Sequence, residues 1–291
     1  MFIIKVFPDN SFCVLGVSGL YSVDKFSFNT IIKAEAKIFL KDIFKKIKPD
    51  PGVKLEIIGT IINNMQFIEG GSFLMGASSG DSEESPVHNV LLDPFYIGKY
   101  EVTQNEWQSI MGTTPWKDSK YVVNGENYPA VEINYYDSRD FIDKISKATK
   151  NSFRLPTEAE WEYCCRAGTK TTYFHGSLKR NLGKYAWFYD NAFKKKIMHP
   201  LEVGLKEPNK WGLYDMLGNV YEWCSDWFSN TYYNRSPVNN PKGPKYGSHR
   251  VARGGDWART DHFIRSAARR CYSPHFRDAS IGFRIAMDQP D

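Results

Sequence analysis

The sequence predicts a loop-rich α+β domain preceded by a small N-terminal α/β segment. A hydrophobic content of 42% in a 291-residue chain supports a sizeable core. The aromatic content of 15% exceeds the needs of an ordinary core and suits irregular segments that are pinned by large rings. No motif repeats at a fixed period, which argues against a solenoid or a propeller. Because the composition changes near residue 62, we predict an N-terminal segment at 1–62 and a main domain at 63–291.

Local signals predict the first elements. Apolar residues recur at helical spacing from Ile32 to Ile47, with lysines between them, and Pro49 ends the pattern. This spacing predicts an amphipathic helix. From Met65, the stretch MQFIEGGSFLMGAS surrounds a Gly-Gly step with apolar and small residues and predicts a β-hairpin.

Three further helices are predicted from their capping residues. Thr103 is followed by Glu106 at the third helical position, which is a capping box. Ser138 precedes the amphipathic run DFIDKISKATK and is the predicted cap of the second helix. Thr157 and Glu160 form a second capping box before EAEWEYCCRAG.

Charge and cysteine content argue against several classes of protein. The net charge of +5 is mild and the charged residues are interspersed, so no nucleic-acid partner is predicted. The five cysteines show no CxxC pair and are predicted to be buried thiols. No apolar run is long enough to span a bilayer, and no clear signal-peptide cleavage site follows the first apolar stretch.

A restricted set of residue types occurs between Ala258 and Ile281. These 24 residues contain no Glu, Lys, Gln, Met or Trp. Those five types are the ones that cannot be reached from an AAC codon by replacing its adenines, because none has a codon ending in cytosine. The stretch ARTDHFIRSAARRCYSPHFRDASI is therefore typical of side chains that were randomised by adenine replacement inside a fixed frame.

Seven segments in order carry a family resemblance that covers residues 65–286. They are FIEGGSFLMG, FYIGKYEVTQNEW, YPAVEINYYDSRDF, FRLPTEAEWEYCCRAG, NKWGLYDMLGNVYEWCSDW, RVARGGDW and IGFRIA. Together they resemble the formylglycine-generating-enzyme, or sulfatase-modifying-factor, family. The resemblance implies an α+β domain of the C-type-lectin kind, with small twisted sheets, two main helices and long ordered loops.

The enzymes of this family need metal ligands that the sequence does not provide. The copper-binding cysteine pair of the formylglycine-generating enzymes corresponds to Arg259 and Ile264, and neither can be a thiolate ligand. The related iron-dependent sulfoxide synthases need a histidine-bearing helical domain, whereas the six histidines here show no pair at i, i+4 spacing. Neither copper nor iron, and no catalysis, is therefore expected.

The C-terminal frame resembles the variable proteins of diversity-generating retroelements. Their pattern looks like RGGxW, RxAxR and IGFR with variable stretches between, and this chain reads RGGDW, ARTDHFI, RSAAR, RCYSPHFRDAS and IGFRIA. The resemblance implies a variable segment at about 256–284 whose side chains face outward from a fixed scaffold. The predicted scaffold residues are Gly254, Gly255, Trp257, Arg265, Arg269, Phe283 and Arg284, with the arginines bonding loop carbonyls.

The predicted function is ligand binding by a display protein. The candidate ligand-binding residues are Asp256, Ala258, Arg259, Asp261, His262, Phe263, Cys271, Tyr272, His275, Phe276, Asp278, Ala279 and Ser280. Their aromatic and charged types are those of a protein-recognition patch, so the expected ligand is a protein or another surface macromolecule of unknown identity. The resemblance also implies a place at the cell surface or outer membrane, held by a lipid anchor for which the sequence itself shows no motif.

Two alternative functions stay open. One is an oxidase of the sulfatase-modifying type with different active-site chemistry, and the other is a regulatory module that holds a peptide in its groove. A titratable pair or a transition-metal site in a cleft would favour the oxidase.

Other charged segments have structural interpretations. In GLYDMLGNVYEW, the family resemblance implies a structural calcium at Asp215, Gly218, Val220 and Glu222; the alternative is that both carboxylates bond backbone amides of the turn. The acidic run at 81–84 is predicted to be a solvated loop tip.

Overall fold

The computed structural model describes residues 3–6, 12–16, 19–23 and 55–289, and the chain divides into compact units at 1–46 and 47–291. The described part of the first unit is a three-stranded antiparallel sheet in the order β1-β2-β3. Its strands are β1 (Ile3–Val6), β2 (Phe12–Gly16) and β3 (Gly19–Val23). The helix predicted between Ile32 and Ile47 lies outside the described residues.

The described part of the second unit begins with a short helix, α1 (Leu55–Asn63). Its isoleucines are buried, and the division between the units falls before this helix rather than near residue 62. The compositional change in the sequence therefore lies inside the second unit, because α1 keeps the Ile-rich composition of the preceding segment.

Three more helices and ten strands form the rest of the described second unit. The helices are α2 (Gln104–Met111), α3 (Tyr135–Thr149) and α4 (Glu158–Arg166). The strands are β4 (Met65–Ile68), β5 (Gly71–Met75), β6 (His88–Leu92), β7 (Phe95–Gly98), β8 (Phe153–Arg154), β9 (Tyr221–Trp227), β10 (Arg250–Arg253), β11 (Arg270–Tyr272), β12 (Ile281–Gly282) and β13 (Ala286–Asp288).

The strands form two four-stranded sheets and one hairpin. One sheet has the order β11-β10-β9-β12, the other has the order β4-β7-β13-β8, and β5 pairs with β6. The prediction of a hairpin from Met65 is wrong, because β4 pairs with β7 instead of with β5. Gly70 separates the two strands at φ +74°, and a Cβ there would lie 2.4 Å from the Leu92 carbonyl oxygen. A glycine is therefore needed where the chain passes from one sheet to the hairpin.

The helix caps follow the sequence signals in two of three cases. The capping boxes of Thr103 with Glu106 and of Thr157 with Glu160 are both present, which confirms the predicted starts of α2 and α4. Helix α3 starts earlier than predicted, because Asn134 caps it and the side chain of Asp137 accepts a hydrogen bond from the Asn134 N–H. Ser138 instead lies inside the helix and bonds the Tyr135 carbonyl.

The main core lies around α4, which packs against β5, β9 and β10. Trp161 is fully buried there, and Cys164, Cys165 and Cys224 are buried thiols as predicted, while Cys271 is half-buried. Among the described residues, no helix has both the length and the apolar character needed to cross a membrane.

Asp226, at the end of β9, generates a prediction about the pH dependence of stability. Burial, together with the charge of Glu158, raises its pKa to about 7 from an ordinary value of 3.8. The folded state therefore holds this proton more tightly than the unfolded state does. As the pH rises from about 4 to about 7, the unfolded state gains more from ionisation, and this group lowers the free energy of unfolding progressively before the effect levels off.

We expect Asp226→Asn to remove that loss while keeping one carbonyl oxygen in the place of Oδ2, which accepts from both the Glu158 N–H and the Ser225 hydroxyl. The difference in unfolding free energy between variant and parent should shift in favour of the variant by about 2–4 kcal/mol from pH 4 to pH 8, since a tenfold change in proton affinity is about 1.4 kcal/mol. Urea denaturation at several pH values measures it. A difference that does not change with pH would mean that Asp226 titrates normally.

Candidate functional site

The variable segment, defined as residues 256–284, runs from the end of β10 through β11 to β12. A 3₁₀ turn at Asp261–Ile264 precedes β11, and an irregular loop at 273–280 precedes β12. Gly255, directly before the segment, has φ +79°, and a Cβ there would lie 2.3 Å from Cγ2 of Ile264. The chain therefore folds back tightly on itself, which requires glycine at this position.

Four buried arginines, here called the frame arginines, position the segment from inside. They are Arg253, Arg265, Arg269 and Arg284. Each pairs with a glutamate that lies outside the segment, and three of the pairs are two-pronged. The prediction that Arg265, Arg269 and Arg284 bond backbone carbonyls is confirmed, because each donates to at least one. Their carboxylate partners were not predicted.

The glutamates of these pairs come from three separate elements. Glu84 holds Arg265 through two bonds of 2.6 Å, and Glu158 of α4 holds Arg269 at 2.6 and 2.7 Å. Glu222 of β9 holds Arg284 through two bonds of 2.6 Å. Glu84 belongs to the acidic run predicted to be a solvated tip; that prediction is wrong for Glu84, which is fully buried because Arg265 neutralises it.

The fourth frame arginine, Arg253, bonds Glu162 of α4 and the carbonyl of Ala268. Burial would raise the pKa of Glu162, but the guanidinium groups of Arg166 and Arg253 outweigh it and lower that pKa. Glu162 is therefore ionised and forms a permanent charge pair beneath the variable segment.

The side chains between the frame arginines differ in exposure. Exposed candidates are Arg259, His262 and His275; half-buried candidates are Ala258, Asp261, Phe263, Cys271, Tyr272, Phe276, Asp278 and Ser280. The expectation that all face outward is wrong for Asp256 and Ala279, which are 1% and 5% exposed. Asp256 is buried because it accepts hydrogen bonds from the Ala258 N–H and from Arg259, and burial raises its pKa to about 6.

An aromatic platform lies on β11 and the loop that follows it. Tyr272 and Phe276 stack with ring centroids 4.5 Å apart and an interplanar angle of 7°. Beneath them, the rings of Tyr221 and Trp223 meet Tyr272 edge to face at 5.8 and 6.2 Å. The platform therefore has a fixed aromatic floor from β9 and a partly exposed upper layer from the variable segment.

The charged side chains of the segment are paired with framework residues. Asp261 accepts a hydrogen bond from Lys179 at 2.7 Å, and His262 lies 3.0 Å from Asp81. The guanidinium of Arg270 lies 3.6 Å from Asp81 and over the Phe263 ring at 4.3 Å. Lys179 and Asp81 lie far from the variable segment in sequence. Their contacts with it were therefore not predicted from the sequence.

Further contributions from outside the segment come from 132–137, the turn that starts α3. The Glu132 N–H bonds the Asp278 carbonyl at 3.0 Å, and Tyr136 lies 5.0 Å from His275, ring to ring. The YPAVEINYYD motif contained these residues, but no local signal indicates that they contact the variable segment.

Comparison with known proteins decides the family. Residues 59–289 match the domain family described as sulfatase-modifying factor enzyme 1-like. The chain belongs to this family.

Its relatives include enzymes and a variable protein. The Streptomyces coelicolor formylglycine-generating enzyme is 29% identical over 282 residues, covering 76% of this chain and 88% of the enzyme. Among solved structures, Treponema denticola variable protein 1 has a TM-score of 0.71 and 29% identity, covering 77% of this chain and 95% of that protein. The α+β, C-type-lectin-like fold predicted from the sequence is thereby confirmed.

A longer relative shares the same domain. The serine/threonine-protein kinase pkn1 of Chlamydia caviae is 30% identical over 273 residues, covering 85% of this chain and 40% of the kinase. The chain thus spans about two fifths of the length of the kinases that it matches.

Two positions of this chain correspond, by the family resemblance, to the copper-binding cysteines of the formylglycine-generating enzymes. Other residue types hold them here. Arg259 is half exposed and bonds Asp256, whereas Ile264 is fully buried in the main core. A hydrocarbon side chain in the core cannot bind a metal, and a guanidinium has no lone pair to offer one.

The two carboxylates of the predicted calcium loop, Asp215 and Glu222, differ in their hydrogen bonds. Both oxygens of Glu222 are bonded, to Arg284 and to Trp161, so its charge is already neutralised by the guanidinium. By contrast, one oxygen of Asp215 and one of Glu101 are buried without a hydrogen-bond partner. Burial raises the pKa of Glu101, as does the charge of Asp215, and both carboxylates are buried.

A cation bound to both carboxylates would neutralise their buried charge. Glu101 was not among the calcium ligands predicted from the sequence. In the part of the chain that the structure describes, no three His, Cys, Asp or Glu residues form a group that could hold a metal by themselves. A calcium would therefore rely on backbone carbonyls, such as those predicted at Gly218 and Val220, as well as on the two carboxylates.

The frame pairs generate a prediction with a matched control next door. We expect Arg269→Gln to lower the free energy of unfolding by roughly 3–5 kcal/mol, because it leaves buried Glu158 without its partner. Arg270→Gln should cost about 1 kcal/mol or less, since Arg270 is 30% exposed and its nearest carboxylate oxygen is 3.6 Å away. Chemical denaturation compares the two, and equal losses would contradict the assigned role of the frame arginines.

Proposed function

We propose that this chain is a non-enzymatic ligand-binding protein whose site consists of the outward side chains of the variable segment. The observation that carries the proposal is the difference in burial between the frame arginines and the side chains between them. The frame arginines are buried and paired with glutamates outside the segment, while most of the side chains between them are exposed or half-buried. A backbone held in this way keeps its shape when the surface residues change.

The similarity to Treponema denticola variable protein 1 supports binding as the function. The similarity to formylglycine-generating enzymes supports the oxidase alternative, but Arg259 and Ile264 at the copper positions disfavour it. A peptide-holding module is the remaining alternative. Such a module would have the same groove residues in its close homologues. In a display protein, the residues at the binding surface would differ between close homologues.

The composition of the surface favours a protein as the ligand. It combines a stacked aromatic pair with arginines that are already paired, as in protein-recognition patches. We further propose that the protein acts at the cell surface, a placement that rests on family resemblance alone. Protease treatment of intact cells tests it, because a surface protein would be degraded while a cytoplasmic control survives.

Simultaneous replacement of exposed variable residues should leave stability almost unchanged. We choose Thr260, His262, Ser273 and His275, each exchanged for other residue types found in the segment. Exposed substitutions typically cost within about 0.5 kcal/mol each, so the set should cost roughly 2 kcal/mol or less. Ile264→Ala is the control and should cost about 2–5 kcal/mol by itself, because it opens a cavity in the core.

A displayed library tests binding itself. Randomising the same positions together with Tyr272 and Phe276 should yield folded members that bind each of two unrelated test proteins with micromolar or better affinity. If folded members bind neither protein, the display function is refuted. Copper-dependent oxidation of a cysteine-containing peptide by the parent chain would instead establish the oxidase alternative.

We also propose a structural calcium at Asp215 and Glu101. Calcium that binds only the folded state should raise the melting temperature relative to the protein in chelator, by an amount equivalent to about 2.7 kcal/mol at a hundredfold excess over its Kd. Asp215→Asn should abolish the shift, and Asp226→Asn, which changes a buried carboxylate elsewhere, should keep it. If the parent shows no calcium-dependent shift, both carboxylates are held by the protein alone.

A further inference from the structure

The turn at 132–137 is fastened to the loop at 273–280 by backbone and side-chain bonds. The Tyr135 N–H bonds the carbonyl of Pro274 at 3.1 Å, and the Glu132 N–H bonds that of Asp278 at 3.0 Å. In return, Arg277 donates to the Glu132 carbonyl at 3.0 Å and to Asp137 at 2.9 Å. This turn therefore stays beside the loop whichever side chains the loop carries at its exposed positions, because the two backbone bonds do not depend on side chains.

Tyr136 is the side chain that this turn presents at the surface. It is 43% exposed, and its ring lies 5.0 Å from the ring of His275 and 5.8 Å from that of Tyr135. Tyr135 in turn meets the floor of the platform, because its ring lies edge to face with Trp223 at 6.2 Å. Tyr136 therefore adds an exposed ring beside the variable segment, and Tyr135 and Trp223 link it to Tyr272 of the platform.

The charged groups around this surface favour one class of ligand, because they are already paired. The basic groups at 259, 262, 270 and 277 all lie against carboxylates, and Asp261 lies against Lys179. Asp278 accepts bonds from the N–H and hydroxyl of Ser280. An incoming partner would have to displace these pairs to form new ion pairs, whereas the aromatic rings can be covered without such a loss.

From this arrangement we propose that Tyr136 is a fixed part of the binding surface and contributes to ligand affinity whichever residues occupy the variable positions. The partner that fits is a folded protein presenting an apolar patch of low net charge. This inference rests on the proposed display function. Tyr136 would supply an aromatic contact that is the same in every variant and that anchors ligands. The variable positions would select among the ligands.

The experiment uses library members selected against the two unrelated test proteins. Tyr136→Ala should weaken binding by on the order of 10- to 30-fold for members of both sets, as is usual for an interfacial tyrosine. Tyr136→Phe should stay within about threefold, because the ring and not the hydroxyl supplies the contact. Tyr246→Ala is the matched control; Tyr246 is 76% exposed, belongs to another loop, and should have no effect.

The outcomes separate this inference from the display function. Selected members that bind equally well after Tyr136→Ala would overturn the role of Tyr136 and leave the display function intact. A folded library without any binder would remove both. Affinities should also change little between low and high salt; a steep fall in affinity with salt would overturn the assignment of an apolar, weakly charged partner.

Discussion

The structure of the variable segment depends on buried ion pairs between the frame arginines and distant glutamates. A buried guanidinium without its carboxylate is strongly unfavourable, so the segment can be placed in only one way relative to α4, β9 and the turn at Glu84. Such pairs contribute little net stability compared with well-packed hydrocarbon, but they specify position. Arg269 illustrates this, because its guanidinium also lies over the rings of Phe228 and Tyr233, which leaves little freedom to shift.

This positioning explains how a loop-rich surface can vary without losing its shape. The backbone is held from below by the frame and from the side by the turn at 132–137, and neither support uses the exposed side chains at 259, 262 or 275. Ionic groups at 261, 262 and 270 face Lys179 and Asp81, so each of them has a partner of opposite charge or a hydrogen-bond partner on the framework. In the proposed function, ligands are therefore recognised by the aromatic rings and by the variable polar residues around them.

Local signals in the sequence predicted the caps of α2 and α4, since a capping box involves residues only three apart. Features that depend on distant partners were not predictable. Strand β4 pairs with β7, about thirty residues away, and Glu84 is buried by Arg265, 181 residues away. Codon-level restriction drew attention to 258–281, but it carries no information on burial, so Ala279 was included among outward residues. Asp256 precedes that stretch and was included because it occupies the variable position of the RGGxW pattern. Tyr136 was missed because only the folded chain brings it beside His275.

The restricted alphabet and the frame fit each other chemically. The frame arginines are all held by glutamates, and glutamate is one of the types missing from the stretch between Ala258 and Ile281. Randomised positions drawn from that alphabet could not present a glutamate to compete for a frame arginine. Aspartate, the carboxylate that remains, is one methylene shorter. The residue types open to variation thus exclude the carboxylate that matches the frame pairs, while keeping the Tyr, Phe, His and Arg that recognition surfaces use.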